Sequence, residues 1–144
     1  MFSYDIQASI DIDAPADTIW RVLIDFSSYD RWNPMLRNVK TDLALGASVE
    51  FEVLQEGRRS LKLKAKIVTL REARELAWRG GWTNLLSGEH SFIIEPLDEG
   101  RCRFHHGEQF EGLLLPLVKR ALKSAPPLYQ AMNEALKRRV EAQG

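Results

Sequence analysis

Apolar and polar positions alternate over the first twelve residues. Phe2, Tyr4, Ile6, Ala8, Ile10 and Ile12 share one parity, and Ser3, Asp5, Gln7, Ser9 and Asp11 share the other. That is the period of a strand with one buried and one wet face. The alternation stops at Asp13-Ala14-Pro15, where proline suits the first turn of a helix and Asp17 suits its positive end. Ile19, Trp20, Val22, Leu23 and Phe26 then follow helical spacing and predict one apolar stripe. Ser27-Ser28 interrupts it, and residues 29–34 (Tyr-Asp-Arg-Trp-Asn-Pro) predict a short helical turn closed by proline. Two short helices are therefore expected after the first strand.

From about Arg37 to Gly112 the period is two almost throughout. Val49, Phe51 and Val53 oppose Glu50 and Glu52, and Leu61, Leu63, Ala65 and Ile67 oppose Lys62, Lys64 and Lys66. Leu76, Trp78 and Gly80 continue the apolar parity, then His90, Phe92 and Ile94, then Cys102, Phe104, His106, Glu108 and Phe110. Short Gly-containing connections, with Asp98-Glu99-Gly100 as one turn, predict an antiparallel meander, since parallel strands need helical crossovers. Long strands in such a sheet twist and curl, so a strongly curved sheet is expected. Residues 113–142 return to helical spacing through Leu114, Leu117, Val118, Leu122, Leu128, Met132, Ala135, Leu136 and Val140, with a break or kink at Pro126-Pro127. The prediction is one α+β domain over residues 1–144: a curved antiparallel seven-stranded sheet around a long C-terminal helix, with two short helices after strand 1.

Composition narrows the function classes. Twenty basic against twenty acidic residues give a net charge of zero, which argues against a nucleic-acid protein with a dominating positive field. The lysine row Lys62, Lys64, Lys66 reads as a solvated sheet face able to pair with Glu50 and Glu52. One cysteine excludes an internal disulfide and fits a reducing compartment; Cys102, at inward parity, reads as a buried inert thiol. The apolar run Leu113–Val118 is far too short for a membrane span, so no stable membrane insertion is expected, and with no leader pattern the chain is read as cytoplasmic. Motifs of serine hydrolases, phosphate loops and dinucleotide folds are absent.

The segments IDAPADTIWRVLIDFSSYDRWNP (residues 12–34), GEHSFIIEPLDEGRCRFHHGEQFEG (88–112) and MNEALKRRVEA (132–142), in this order of elements, resemble the START-domain and polyketide cyclase/dehydratase superfamily, with its helix-grip fold. The resemblance covers nearly the whole chain and implies an internal apolar cavity between helix and sheet. It is specific for fold rather than function, because members include cyclases, dehydratases and lipid carriers.

Three ionisable groups share the inward parity: His90, His106 and Glu108. A turn at 98–100 that pairs Leu97 with Arg101 sets Phe92 opposite His106 and His90 opposite Glu108, at Cβ separations of about 4.5–5.5 Å. Each buried unsatisfied polar group costs about 1–3 kcal/mol, so the three must satisfy one another or line a wet pocket. A self-satisfied pair fixing register, a polar patch on a ligand cavity, and acid/base catalysis by His106 and Glu108 all remain open. A metal site lacks any local ligand spacing, and no cofactor is expected. His105 has the opposite parity and is expected in solvent. The expected ligand contacts are Phe26, Tyr29, Trp32, Phe51, Leu63, Trp78, His90, Phe92, Phe104, His106, Glu108, Phe110, Met132 and Leu136. Tyr29 and Trp32 are placed at the entrance, Trp82 on its rim.

The leading reading is binding or transport of a small hydrophobic molecule, such as a lipid, polyketide or aromatic compound. The second is a cofactor-independent cyclase/dehydratase-type enzyme, with Tyr29 donating to a carbonyl. A protein-interaction module would need a large exposed apolar patch, which the clean alternation argues against. An edge strand offers a route to a dimer, so the chain is read as monomer or homodimer.

Overall fold

A computed structural model describes residues 1–55, 57–98 and 100–143. Strand β1 (Ser3–Ile12) leads into α1 (Ala16–Ile24) and a 3-10 helix (Phe26–Arg31). The meander follows as β2 (Leu36–Thr41), β3 (Ser48–Val53), β4 (Leu61–Arg71), β5 (Glu75–Trp82), β6 (Leu86–Asp98) and β7 (Arg101–Glu111). Helices α2 (Leu115–Lys123) and α3 (Pro126–Glu141) close the chain. The seven strands form one antiparallel sheet in the order β1-β7-β6-β5-β4-β3-β2, the helix-grip architecture.

Ser27-Ser28 does not separate the two helices, which part at Asp25, but lies inside the second, because both hydroxyls donate to the Asp25 carboxylate (3.1 and 2.8 Å) and hold the tight turn. Pro126-Pro127 separates two helices as expected. Pro126 opens α3, where its missing N–H costs nothing, and the chain between Lys123 and Pro126 turns the corner. The buried stripe of α3 is Tyr129, Met132, Asn133, Leu136 and Val140, spaced by three and four residues. Tyr129 takes the place expected for Leu128, which is only half-buried.

Curvature has an identifiable source besides strand length. The register shifts between Arg37 and Lys40, between Ile67 and Thr69, and between Pro96 and Asp98, and each such irregularity bends its strand. The last of these corrects the expected hairpin: Asp98, not Leu97, pairs with Arg101, leaving Leu97 as the extra residue. Glu99 of the expected turn lies outside the described residues. The correction is local, because Phe92 still faces His106 and His90 still faces Glu108.

Helix α3 lies mainly on β1, with β7 and α1 alongside. Between it and the sheet, Ile12, Trp78, Phe92 and Phe104 are fully buried with Met132 and Leu136 of the helix. The cover is incomplete toward the start of β4. Leu63 shares the concave face with Phe51, its partner on β3, yet remains 44% exposed, while Phe51 is 8% exposed. Clean alternation therefore does not bury every apolar position, because no helix lies over that end.

Candidate functional site

The concave face carries a continuous chain of polar side chains. His90 on β6 and His106 on β7 meet Nε2 to Nε2 at 2.6 Å, their rings stacked at 4.8 Å between centroids. On the inner side, His106 Nδ1 lies 3.1 Å from Asn133 Oδ1 on α3. On the outer side, His90 Nδ1 is 3.4 Å from Glu108 Oε1, and the Tyr129 hydroxyl donates to that same oxygen at 2.7 Å. Strand pairing places His90, His106 and Glu108, and the stripe of α3 places Asn133 and Tyr129. Both imidazoles are buried, whereas the Glu108 side chain keeps 18% exposure.

Burial fixes the protonation of this chain. Desolvation, together with the neighbouring His106, holds His90 well below its ordinary value. Desolvation likewise lowers His106 to about 4, against hydrogen bonds to Asn133 and to the Tyr129 carbonyl. Glu108 is pushed up to about 7 by burial, partly offset by the Tyr129 hydrogen bond. Burial and the adjacent Glu108 raise Tyr129 in turn. At neutral pH both histidines are uncharged and Glu108 stands at its midpoint, the range in which a carboxyl both gives and takes protons.

Two buried donors beside this chain have no hydrogen-bond partner, Trp78 Nε1 and Asn133 Nδ2. Trp78 is His90's neighbour across β5 and β6. Gly88, beside His90's end of the row, leaves room for the carboxyl: a Cβ there would lie 2.7 Å from Glu108 Oε2.

The residues expected around a ligand divide into three groups. Trp78, His90, Phe92, Phe104, His106, Met132 and Leu136 pack together as core, with the Phe51 ring tilted against Trp78 at 5.3 Å between centroids. Leu63, Glu108 and Phe110 keep accessible surface at the uncovered end. Phe26 lines a cleft of about 810 Å³ between the 3-10 helix and β2–β4, and Trp32 lines one of about 540 Å³ between α1 and the end of α3. Neither cleft is lined by His90, His106 or Glu108. Tyr29, expected at an entrance, is instead fully buried against Phe26 and Trp32, with its hydroxyl donated to the Leu23 carbonyl. The ring sits under the 3-10 helix, whose turn points it inward.

Sequence reasoning missed Tyr129 and Asn133. The signal was present: both fall on the face of α3 that carries Met132 and Leu136, so each polar group had to be buried among apolar ones. His105 faces outward as expected, between Ser9 Oγ and Glu95 Oε1 at 2.8 Å each. Cys102 is a buried free thiol whose pKa burial raises. Among the described residues no group of three or more His, Cys, Asp and Glu is placed to hold a metal ion, and no helix is long and apolar enough to cross a membrane.

Solved structures share this architecture. The chain is similar to the Zhui aromatase/cyclase from Streptomyces sp. R1128 (TM-score 0.79, 18% identity, 99% of this chain and 96% of that one). It is similar to a START superfamily protein from Mycobacterium smegmatis (TM-score 0.73, 20% identity, 97% and 99%). It is also similar to norcoclaurine synthase from Thalictrum flavum in complex with dopamine and hydroxybenzaldehyde (TM-score 0.71, 17% identity, 99% and 89%). At these identities the likeness is one of fold. No curated protein matches the sequence. The family model described as polyketide cyclase / dehydrase and lipid transport matches residues 3–141, and the chain belongs to that family.

Proposed function

We propose that this protein binds a small, mostly apolar molecule with one polar group, seated on the uncovered end of the concave face with that group on the Glu108 carboxyl. The carrying observation is the position of Glu108. Its Oε1 is held by Tyr129 beside His90, while the side chain remains partly accessible and Oε2 lies over Gly88, where no side chain intervenes. Phe110, two residues along β7, supplies partly accessible apolar surface beside it, Leu63 supplies more across the sheet on β4, and burial of such surface supplies about 25 cal/mol per Å². His90 and His106 hold the carboxyl rather than touch the guest. The protein acts as a cytoplasmic carrier in this reading, and its family description includes lipid transport.

The test is a paired titration with 1-naphthol and naphthalene, which differ by one hydroxyl. The reading expects 1-naphthol to bind more tightly, and Glu108→Ala to weaken it about tenfold while leaving naphthalene unchanged, the size of one hydrogen bond to a partly charged group. Equal weakening of both, or no binding of either, would refute it.

A second reading is favoured by the placement of the Glu108 pKa at about 7. As a cyclase/dehydratase-type enzyme, the chain would use Glu108 as the acid/base, with His106 as a positioning residue because both of its ring nitrogens are occupied. Its mark is exchange of the α-protons of 2-tetralone in D2O: carboxylate takes the proton and returns deuterium. Glu108→Gln would abolish that exchange.

A further inference from the structure

The exposed large apolar side chains are not scattered. Among the described residues, nine of twelve lie at one end of the sheet, where β4 and β6 begin and β5 and β7 end. Leu61 and Leu63 open β4 at 47% and 44% exposure, and Trp82, at the β5–β6 turn, is 72% exposed. Leu113, Leu114 and Leu117 follow around the start of α2, the last at 80%. Backbone hydrogen bonds tie two of these segments together: Leu113 N–H to Asn84 O (3.0 Å) and Leu114 N–H to Leu85 O (2.9 Å). At the opposite end only Leu45 stands out in this way among the described residues. Trp82 is exposed as the sequence suggested, but the patch around it overturns the expectation that alternation leaves none.

Charge accompanies the apolar patch. Residues 112–133 contain Lys119, Arg120 and Lys123, all exposed, and no acidic residue. Residues 54–64 contain Arg58, Arg59, Lys62 and Lys64 against a single acid, Glu56. These two segments carry the cation surplus of this end, where Glu50 pairs with Lys64 and Glu89 and Glu111 lie beside Arg79. Exposed leucines and a tryptophan ringed by cations are the features of a surface that sits in the headgroup layer of an anionic bilayer. A protein partner would need a matched shape, whereas a bilayer needs only apolar tips reaching one level with cations behind them.

We infer that this end docks peripherally on anionic membrane, with Leu117, Trp82 and their neighbours entering the headgroup layer. The docked end is also the uncovered end of the concave face, but docking does not depend on the ligand reading. Co-sedimentation with phosphatidylcholine vesicles, with and without a third of phosphatidylglycerol, tests it. The expected result is binding at least tenfold stronger to the anionic vesicles, falling with added salt. Trp82 emission should shift to the blue on binding, a shift lost in Trp82→Phe. Leu117→Glu and Trp82→Glu, both at exposed positions, should reduce vesicle binding more than tenfold. 1-Naphthol titration of Leu117→Glu should be unchanged, which separates this inference from the ligand reading. Equal binding to both vesicle types, binding unaltered by the glutamates, or a patch consumed by self-association in analytical ultracentrifugation would overturn it.

Discussion

His90 and His106 share one proton across the 2.6 Å between their Nε2 atoms, and Asn133 decides which ring carries it. The Asn133 Oδ1 only accepts, so His106 Nδ1 bears hydrogen and its Nε2 offers a lone pair. His90 Nε2 must then donate, leaving His90 Nδ1 as an acceptor that faces Glu108. A protonated Glu108 completes the sequence of donors, and its pKa of about 7 puts that proton within reach at neutral pH. The network is thereby satisfied along its length except at Asn133 Nδ2, which is buried without a partner.

Nitrogen-15 NMR of the imidazoles checks the assignment. His106 is expected as the Nδ1–H tautomer and His90 as the Nε2–H tautomer, both neutral from pH 8 down to pH 5. Titration of either ring near its ordinary value would contradict the network.

Stability against pH follows with opposite signs for the two residue types. Glu108 holds its proton more tightly in the folded chain (about 7 against 4.5), so its contribution is complete below about 4.5 and is lost as pH rises through 7. The histidines lie below 6.5 when folded, so their contribution is complete above 6.5 and is lost on acidification, for His106 through about 4. Glu108→Gln mimics the protonated acid. Denaturant melts should show it near the parent at pH 4.5 and more stable at pH 8.5, by about 3 kcal/mol.

Gly88 is expected to be as important as the carboxyl it accommodates. Gly88→Ala places a Cβ 2.7 Å from Glu108 Oε2 and 3.2 Å from the Phe110 ring, so the carboxyl must swing outward. Released from burial, Glu108 should titrate closer to 4.5, as carboxyl carbon-13 shifts would show. A titration midpoint unchanged at about 7 would contradict the close approach.

Tyr29 separates core from site. Its hydroxyl satisfies the Leu23 carbonyl in a fully buried position, so Tyr29→Phe should lower unfolding stability by about 1–3 kcal/mol. Binding of 1-naphthol should be untouched, whereas a loss of binding with stability retained would return Tyr29 to the site.

The strands were legible because one face of the sheet is buried and the period of two is strict, which also carried the His90–Glu108 and Phe92–His106 pairings. The bulge at Leu97 was not legible, since an extra residue changes register without changing composition. The polar trio was legible by parity alone. Its two partners on α3 were not, because Tyr129 and Asn133 reach it across 21 and 27 residues of chain, and no local pattern encodes how a helix is rotated over a sheet. The same rotation leaves Leu63 uncovered, which parity by itself predicts to be inside.

Intermolecular NOEs from bound 1-naphthol test the central claim most directly. The account predicts contacts from its ring protons to the Leu63 and Ala65 methyl groups and the Phe110 ring. Contacts instead to Ala14 and Val22, in the cleft between α1 and α3, would contradict it.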